Sequence, residues 1–529
     1  MVRRVIFTGQ PGIKTNKVCE DFISQASPFA KERPEPFILK IKNEMKNIYL
    51  KEQKKADSPI VWIREILMLP TPALCDLWEK AFKSVLKKIE DEENKSKDIL
   101  ITLHACFYLH YTVEYLSPVK TELLKRFQPD LFITLIDDIY DIYDRLRCRD
   151  QIFNPSYGGA TKPVGAILEL MRILDWRSKE IMMARHFANE LNVPHYVFAV
   201  KHSYDTLYKL IFEDELKFYI SHPISEVRRL QKRGEKRKAN QMIRAIHRLE
   251  NKSSSKFVCF LPTTIDELRI QKEKRDGQTI VYMPKLMPRW DSKKYQDPID
   301  LLFIPPLKRK IDPLWGKKAE SSREFHLLLE ALSNHIEVQV SSRDHKLVEQ
   351  SDFLFVYRPC FNGNISGGVL KEIQYYIKLT GSRSVKNCFI YMPTEDQNKL
   401  KSRQLEDILE SKIDEGKEIT CEVGESISLN SEEEKKLITA GNNINNLIEV
   451  FKEIMDNKSI IYVGARHGLE SDKSQKAIDL ITKTAREYID NLYLYISTYK
   501  QAATVLWEDD NLSPETLVEK TIEYIRKSK

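Results

Sequence analysis

The sequence predicts an α/β protein: two consecutive doubly wound domains with mostly parallel sheets, then a helical C-terminal tail. Three observations carry that expectation. Short apolar runs alternate with longer stretches of helical periodicity. Many of these runs are followed by a turn signal and then a helix pattern, which is the order of βαβ units. The chain also opens on a strand, a glycine turn and a helix, Val5-Ile-Phe-Thr-Gly-Gln-Pro-Gly-Ile-Lys-Thr15.

The strand candidates follow in order. Val5–Thr8, Ile99–Leu103, Leu131–Ile136 and His195–Val200 belong to a first domain over 1–210. A boundary near Ser203–Glu215 precedes a second domain over 215–400. Its strands are Phe218–Ser221, Phe257–Leu261, Leu301–Ile304, Phe353–Tyr357 and Phe389–Met392. Residues 401–529 read as a connection and a mainly helical extension. Within it, Glu406–Asn430 is acidic and polar, Ile460–Val463 is one strand, and a long helical pattern runs from Asp472 to about Val505. The tail is expected to pack on the preceding unit or to form a surface for a homo-oligomer or protein partner.

Composition narrows the function classes. Of 529 residues, 42% are hydrophobic and 30% charged, which excludes a largely disordered chain. The formal charge of +7 is mild for this length and does not argue for a nucleic-acid or membrane partner. None of the eight cysteines lies within a C-x-x-C spacing, and most sit in apolar runs. That pattern suggests reduced, core-filling thiols and a cytoplasmic protein. Met1-Val-Arg-Arg-Val-Ile-Phe runs straight into a glycine turn, so no signal peptide is expected. Ile99–Leu116 is the best candidate for a membrane span, but it contains His104, His110 and Glu114. It reads better as a buried strand followed by a loop or helix.

The first glycine turn begins as a phosphate-binding loop does. Glycine lets backbone N–H groups turn inward around phosphate at the positive end of a helix. Gly9, Pro11 and Gly12 fit the pattern G-x-x-x-x-G-K-[ST], and Lys14 and Thr15 supply the basic and hydroxyl pair. The second pattern glycine is missing. Either one residue is deleted before Lys14, or Lys14 stands at the glycine position and Lys17 takes the lysine's role. The alternative is a βα turn that binds nothing.

Further motifs accompany this turn. Leu100-Ile-Thr-Leu-His-Ala-Cys106 is a strand ending in a histidine. Phe127–Asp138 carries a buried strand ending in two aspartates, and Asp141–Asp150 is rich in arginine. With the helix pattern from Arg177 to Ala188, residues 3–203 resemble a P-loop nucleoside-monophosphate kinase of the archaeal adenylate kinase type. The resemblance implies ATP or another nucleotide as ligand, with Mg2+. It also implies that Arg145, Arg147 and Arg149 neutralise charge on transferring phosphates. A salt-bridged helix face is the competing reading of those arginines. The altered turn and an insertion around 40–97 depart from the family and point to a sensor or scaffold.

The second domain carries a more specific set. Tyr219-Ile-Ser-His-Pro-Ile224 ends a strand. Arg343-Asp344 and Ser351-Asp352 precede the strand that ends at Arg358. Ser366-Gly-Gly-Val-Leu-Lys-Glu372 enters a helix. Ligands of open α/β sheets bind beyond the carboxyl ends of the strands, where these polar clusters are expected to lie. In order and context this set resembles the nucleoside 2-deoxyribosyltransferase superfamily and its nucleotide N-glycosidase relatives, with His222 in place of the usual glycine.

The resemblance implies cleavage or transfer of an N-glycosidic bond in a nucleoside, nucleotide or NAD-like substrate. Breaking that bond builds positive charge on the sugar, which a carboxylate beneath C1′ stabilises or attacks. The resemblance assigns this role to Glu372. Asp344 and Asp352 are candidates for base and sugar contacts, and Tyr219 for orienting the glutamate. Ser221 and His222 are candidate substrate contacts. Ser366, Gly367 and Gly368 are candidates for a 5′-phosphate at the helix N-terminus, with charge from Arg228, Arg229 and Arg358. The competing readings are that both domains are retired enzymes serving as a nucleotide sensor or scaffold, or that the chain is a nucleoside-monophosphate kinase. No zinc spacing occurs, so no structural metal is expected. The basic run from Arg228 to Arg248 lacks interleaved aromatics and reads as a solvated helix face rather than a nucleic-acid site.

Overall fold

A computed structural model describes residues 2–26, 34–53, 65–91, 96–109, 114–147, 163–265, 271–275, 278–284, 311–313, 323–380, 387–400, 419–420, 461–462, 498–499 and 501–528. By packing, the chain divides into two compact units. The first is Met1–Phe218 with Ser253–Ser351, and the second is Tyr219–Lys252 with Asp352–Lys529. The chain is an α/β protein with two parallel sheets.

The first unit opens with β1 (Arg4–Thr8), α1 (Thr15–Gln25), β2 (Phe37–Lys40), α2 (Ile41–Gln53) and α3 (Thr71–Glu90). It continues with β3 (Ile99–Thr102), β4 (Phe107–Leu109), β5 (Glu114–Leu116), α4 (Thr121–Phe127) and β6 (Leu131–Ile136). Then come α5 (Ile139–Arg147), α6 (Pro163–Glu190), β7 (His195–Ala199) and α7 (Tyr204–Phe212). The sheet order is β2-β3-β1-β6-β7, all parallel. β1, β3 and β6 are covered on both faces, which explains their near-continuous apolar runs. The order reverses at β1, so the turn after β1 lies where such sheets bind ligands. On one face, Leu74, Leu77, Trp78, Ala81, Phe82 and Val85 form the buried stripe of α3. The insertion around 40–97 thus supplies part of this unit's core. The segment after β3 differs from its expectation as a loop or helix: β4 and β5 pair as an antiparallel hairpin. Tyr108 and Tyr115 face each other there with ring centres 5.2 Å apart and planes tilted, a cross-strand pair a helix would separate.

β8 (Lys217–Ser221) leads into the second unit, followed by α8 (Ile224–Lys232) and α9 (Lys236–Ser254). In α9, Ala239, Met242, Ile243, Ile246 and Leu249 are buried at helical spacing, leaving the basic residues on the other faces. The chain then adds to the first unit β9 (Val258–Phe260), strands β10 (Gln271–Arg275), β11 (Gln278–Pro284) and β12 (Ile311–Pro313), and the long helix α10 (Arg323–Glu349). α10 lies along α6, with Arg185 on Glu349 at 2.7 Å and Ser178 on Gln339 at 3.0 Å.

The second unit resumes with β13 (Phe353–Tyr357), α11 (Gly367–Thr380), β14 (Asn387–Tyr391), the short pair β15 (Ile419–Thr420) and β16 (Ile461–Tyr462), β17 (Val505–Trp507) and α12 (Pro514–Ser528). Its sheet runs β17-β14-β13-β8. The helical pattern expected to about Val505 is helical among the described residues at 498–499 and 501–502, and Val505 begins a strand parallel to β14, with Phe389 opposite Val505. Phe389 and Trp507 stack at 5.8 Å, so apolar burial beside an open edge overrides helix preference there. α12 docks through Tyr524 on Phe389 and through Glu519 on Lys252. The expected run Leu301–Ile304, the Glu406–Asn430 connection and most of the Asp472–Val505 helix pattern lie outside the described residues.

Candidate functional site

Two periodicities meet at Glu372. Alternate strand residues face one side, so Tyr219 and Ser221 of β8 point the same way. On α11, Glu372 belongs to the buried stripe with Val369, Ile373 and Tyr376. Strand and helix therefore present these polar groups to each other. The Tyr219 hydroxyl donates to Glu372 Oε1 at 2.8 Å, and the Ser221 hydroxyl donates to Oε2. Tyr219 and Ser221 are fully buried, and Glu372 is 6% exposed. Each carboxylate oxygen thus has a hydroxyl fixing it in place. Hydroxyls orient a carboxylate without cancelling its charge.

The neighbouring candidates have differing environments. His222 is buried, its Nδ1 lies 3.3 Å from the Ile220 carbonyl, and burial pulls its pKa down to about 4. It is therefore neutral at physiological pH. Ser366 precedes α11, and its Oγ lies 3.5 Å from the Val369 N–H. Gly367 and Gly368 are exposed, and a Cβ at either would meet nothing within 4 Å. Arg228 is half-buried on α8. Arg358 is committed elsewhere: it forks onto Asp396 at 2.5 and 2.7 Å and lies 4.8 Å from the Phe361 ring.

Neither Asp352 nor Asp344 lies at the carboxyl end of a strand, where the sequence reading placed them. Asp352 directly precedes β13, at the opposite end of that strand from the turn leading to Ser366. Five residues of strand put roughly 17 Å between those ends. Asp344 lies inside α10 in the first packing unit, where Arg343 binds it at 2.9 Å. The helical pattern continues through Asp344, so it is not in a strand-end loop.

In the first unit, the turn after β1 is tied to its surroundings. The Gly9 N–H donates to Glu180 Oε1 at 3.0 Å, and the Gly9 carbonyl accepts from His104 at 2.5 Å. Glu180, on α6, also accepts from Ala105 N–H at 2.8 Å and Cys106 N–H at 2.9 Å, just beyond β3. A fully buried carboxylate thus joins the ends of β1 and β3. Burial pushes its pKa up to about 8 despite the three N–H bonds. Gln10 and Trp176 add contacts between the same turns and α6.

Arg145 donates to the Gly12 carbonyl at 2.7 Å and to Asp137 at 2.5 Å. Lys201 binds Asp141 at 2.9 Å. Burial opposes ionisation of Asp137, but Lys201 and Arg145 outweigh it and hold its carboxyl below the usual range. Lys14 is exposed, with a left-handed φ of 61°, immediately before α1. Lys17 is exposed and pairs with Asp21 at 3.4 Å. The Thr15 hydroxyl is buried with no hydrogen-bond partner among the described residues. Arg149 lies outside the described residues.

An anion at the start of α1 fits Lys14 and the orphaned Thr15 hydroxyl. Arg145, among the arginines the sequence reading assigned to transferring phosphates, is engaged by Asp137 and by the turn itself. Among the described residues no group of His, Cys, Asp or Glu has the arrangement of a metal site. Cys19, Cys75, Cys106, Cys259, Cys360 and Cys388 are free thiols. Among the described residues no helix is long and apolar enough to cross a membrane.

Three polar residues near these sites carry no motif in the sequence. Glu180 reaches Gly9 from 171 positions away. Asp396 holds Arg358 from 38 positions away. Glu226 accepts from Asn364, 138 positions distant. The only local signal is the Glu226 to Arg229 spacing, which places both on one face of α8. No protein-family model matches the chain, and no curated protein matches it.

Proposed function

We propose that the second unit cleaves or transfers an N-glycosidic bond of a nucleoside, nucleotide or NAD-like substrate, with Glu372 as the carboxylate at the ribosyl centre. The observation that carries this reading is the pair of hydroxyl contacts, Tyr219 on one oxygen of Glu372 and Ser221 on the other. A carboxylate held this way faces developing positive charge without first reorganising, which is where electrostatic catalysis gains most. Bond breaking moves electrons onto the leaving base and leaves a cationic sugar, which Glu372 stabilises or bonds to. The likeness in motif order to deoxyribosyltransferases is consistent with this chemistry, and the likeness of the first unit to P-loop kinases suggests nucleotide binding there. Incubation with a panel of nucleosides, nucleotides and NAD, followed by chromatography for free base, tests the reading. Base release from at least one member is expected, and release from none refutes it.

A second reading, a nucleotide sensor or scaffold, draws support from the first unit. The contacts of Arg145 and Gly9 favour binding without phosphoryl transfer. Calorimetry with ATP, AMP and ADP tests it. Binding without any transfer of phosphate from ATP to AMP is the expected result.

A further inference from the structure

Among the described residues of the second unit, left-handed backbone gathers in the turn between β13 and α11. Arg358, Asn362 and Gly363 have φ of 51°, 54° and 75°. Only glycine adopts that region freely, so Arg358 and Asn362 each cost stability that the surroundings must supply. Two buried carboxylates grip the turn. Asp396 takes the fork of Arg358 and the backbone N–H of Asn362. Glu226, 3% exposed on the first turn of α8, takes the side-chain amide of Asn364 at 3.2 Å and that of Asn362 at 3.5 Å. The other oxygen of Glu226 holds Arg229, with Nε at 2.7 Å.

The placement of Glu226 matters. α8 follows β8, which carries Tyr219 and Ser221, and the gripped turn leads into α11, which carries Glu372. Glu226 therefore ties together the two strand-to-helix connections whose elements meet at Glu372. We propose that Glu226 is a positioning residue for Glu372, acting through Asn364 to hold the entry of α11 in register with the end of β8. This rests on the reading of Glu372 as the carboxylate at the ribosyl centre. The contacts of Glu226 lie outside the Tyr219–Ser221–Glu372 group, so its effect is on geometry rather than on the reacting bond.

The test uses the full chain and two readouts. Hydrogen exchange measures the amides of 361–368, and base release measures kcat and KM. With Glu226→Ala, exchange at 361–368 is expected to rise at least about tenfold, while the amides of 353–357 keep wild-type rates. kcat is expected to fall about tenfold, with KM within about twofold, because misplacement of the carboxylate weakens the transition state more than substrate binding. Asn364→Ala, which removes only the amide at a half-buried position, is expected to reproduce both changes. Glu226→Gln keeps an oxygen for Asn364 and is expected to restore most of the protection and of kcat. Unchanged exchange at 361–368, raised exchange with unchanged kcat, or loosening throughout the second unit would each overturn the proposal. If the wild type releases no base, the N-glycosidic reading fails, and the exchange data alone decide whether Glu226 holds the turn.

Discussion

The turn after β1 and the carboxylate beside β8 are both polar clusters at strand ends, yet they are organised in opposite ways. At the first, charged groups satisfy one another, Arg145 with Asp137 and Lys201 with Asp141, and the buried Glu180 side chain takes three backbone N–H groups. At the second, hydroxyls hold a carboxylate, and the supporting ion pairs, Arg358–Asp396 and Arg229–Glu226, involve other carboxylates. The first turn is thus knit by ion pairs, and the second cluster by hydroxyl contacts beside ion-paired neighbours. Internal pairing of a site's cations and anions makes each partner costly to remove alone, because it would leave the other buried and uncompensated. Under the proposed function, the hydroxyls of Tyr219 and Ser221 orient the Glu372 carboxylate toward the sugar.

The strongest way to break this comparison is to remove the hydroxyls. Tyr219→Phe and Ser221→Ala are each expected to lower base release about tenfold, and the double variant roughly a hundredfold, since hydrogen bonds to a charged group contribute about 1.5–3 kcal/mol each. Wild-type kinetics in the double variant would show that orientation of Glu372 is irrelevant.

Glu180→Ala probes the other side. It leaves three buried N–H groups without an acceptor, at about 1–3 kcal/mol each. Chemical denaturation is expected to show the first unit losing at least about 3 kcal/mol, with the second unit's transition unmoved. A small loss would mean that water replaces the carboxylate.

Stability against pH sharpens the same point. The Glu180 pKa is raised from 4.5 to about 8 in the folded state, so the folded form holds its proton more tightly than the unfolded form. Its contribution is complete below about pH 4.5 and is lost as pH rises through about 8. His104, His195 and His202 are pulled well below 6.5 by burial and act in the opposite sense, but only below about pH 6.5. Between pH 6.5 and 8 the first unit is therefore expected to weaken with rising pH in the wild type and less so in Glu180→Gln. Unfolding curves at four or five pH values measure this, and parallel profiles for the two proteins would remove Glu180 as the cause.

The smallest effect is expected at Lys14. Its φ of 61° is strained for any residue with a side chain, so Lys14→Gly is expected to raise stability by about 0.5 kcal/mol. If the turn binds nucleotide, the same change weakens affinity by calorimetry. Unaltered affinity would take the lysine out of the ligand site.

These contrasts show which parts of the site could be read in advance. Tyr219, Ser221 and Glu372 stood out through the motif order that resembles deoxyribosyltransferases, and strand and helix periodicity explain why β8 and α11 turn them toward each other. The parallel strands Val5–Thr8, Leu131–Ile136 and Phe353–Tyr357 were legible because double-sided burial makes continuous apolar runs. Glu180 was not, because nothing in its helix distinguishes an inward glutamate that caps distant N–H groups from one on a surface. Arg358 looked available because its partner Asp396 follows a further helix and strand. Val505–Trp507 was hidden for a similar reason: three residues take a strand conformation only because β14 offers an open edge. Asp352 precedes β13 at its amino end, whereas ligands of such sheets sit beyond the carboxyl end, and Asp344 belongs to the long helix α10.

The central claim is that Glu372 supplies negative charge at a ribosyl centre. Wild type and Glu372→Gln, assayed side by side for base release on whichever substrate the panel identifies, test it most directly. Glutamine keeps the shape and a hydrogen-bonding oxygen but not the charge, so thermal unfolding should barely change. The account predicts a loss of at least about a hundredfold in kcat, or about 3 kcal/mol of transition-state stabilisation. A Glu372→Gln protein that releases base at the wild-type rate would contradict it.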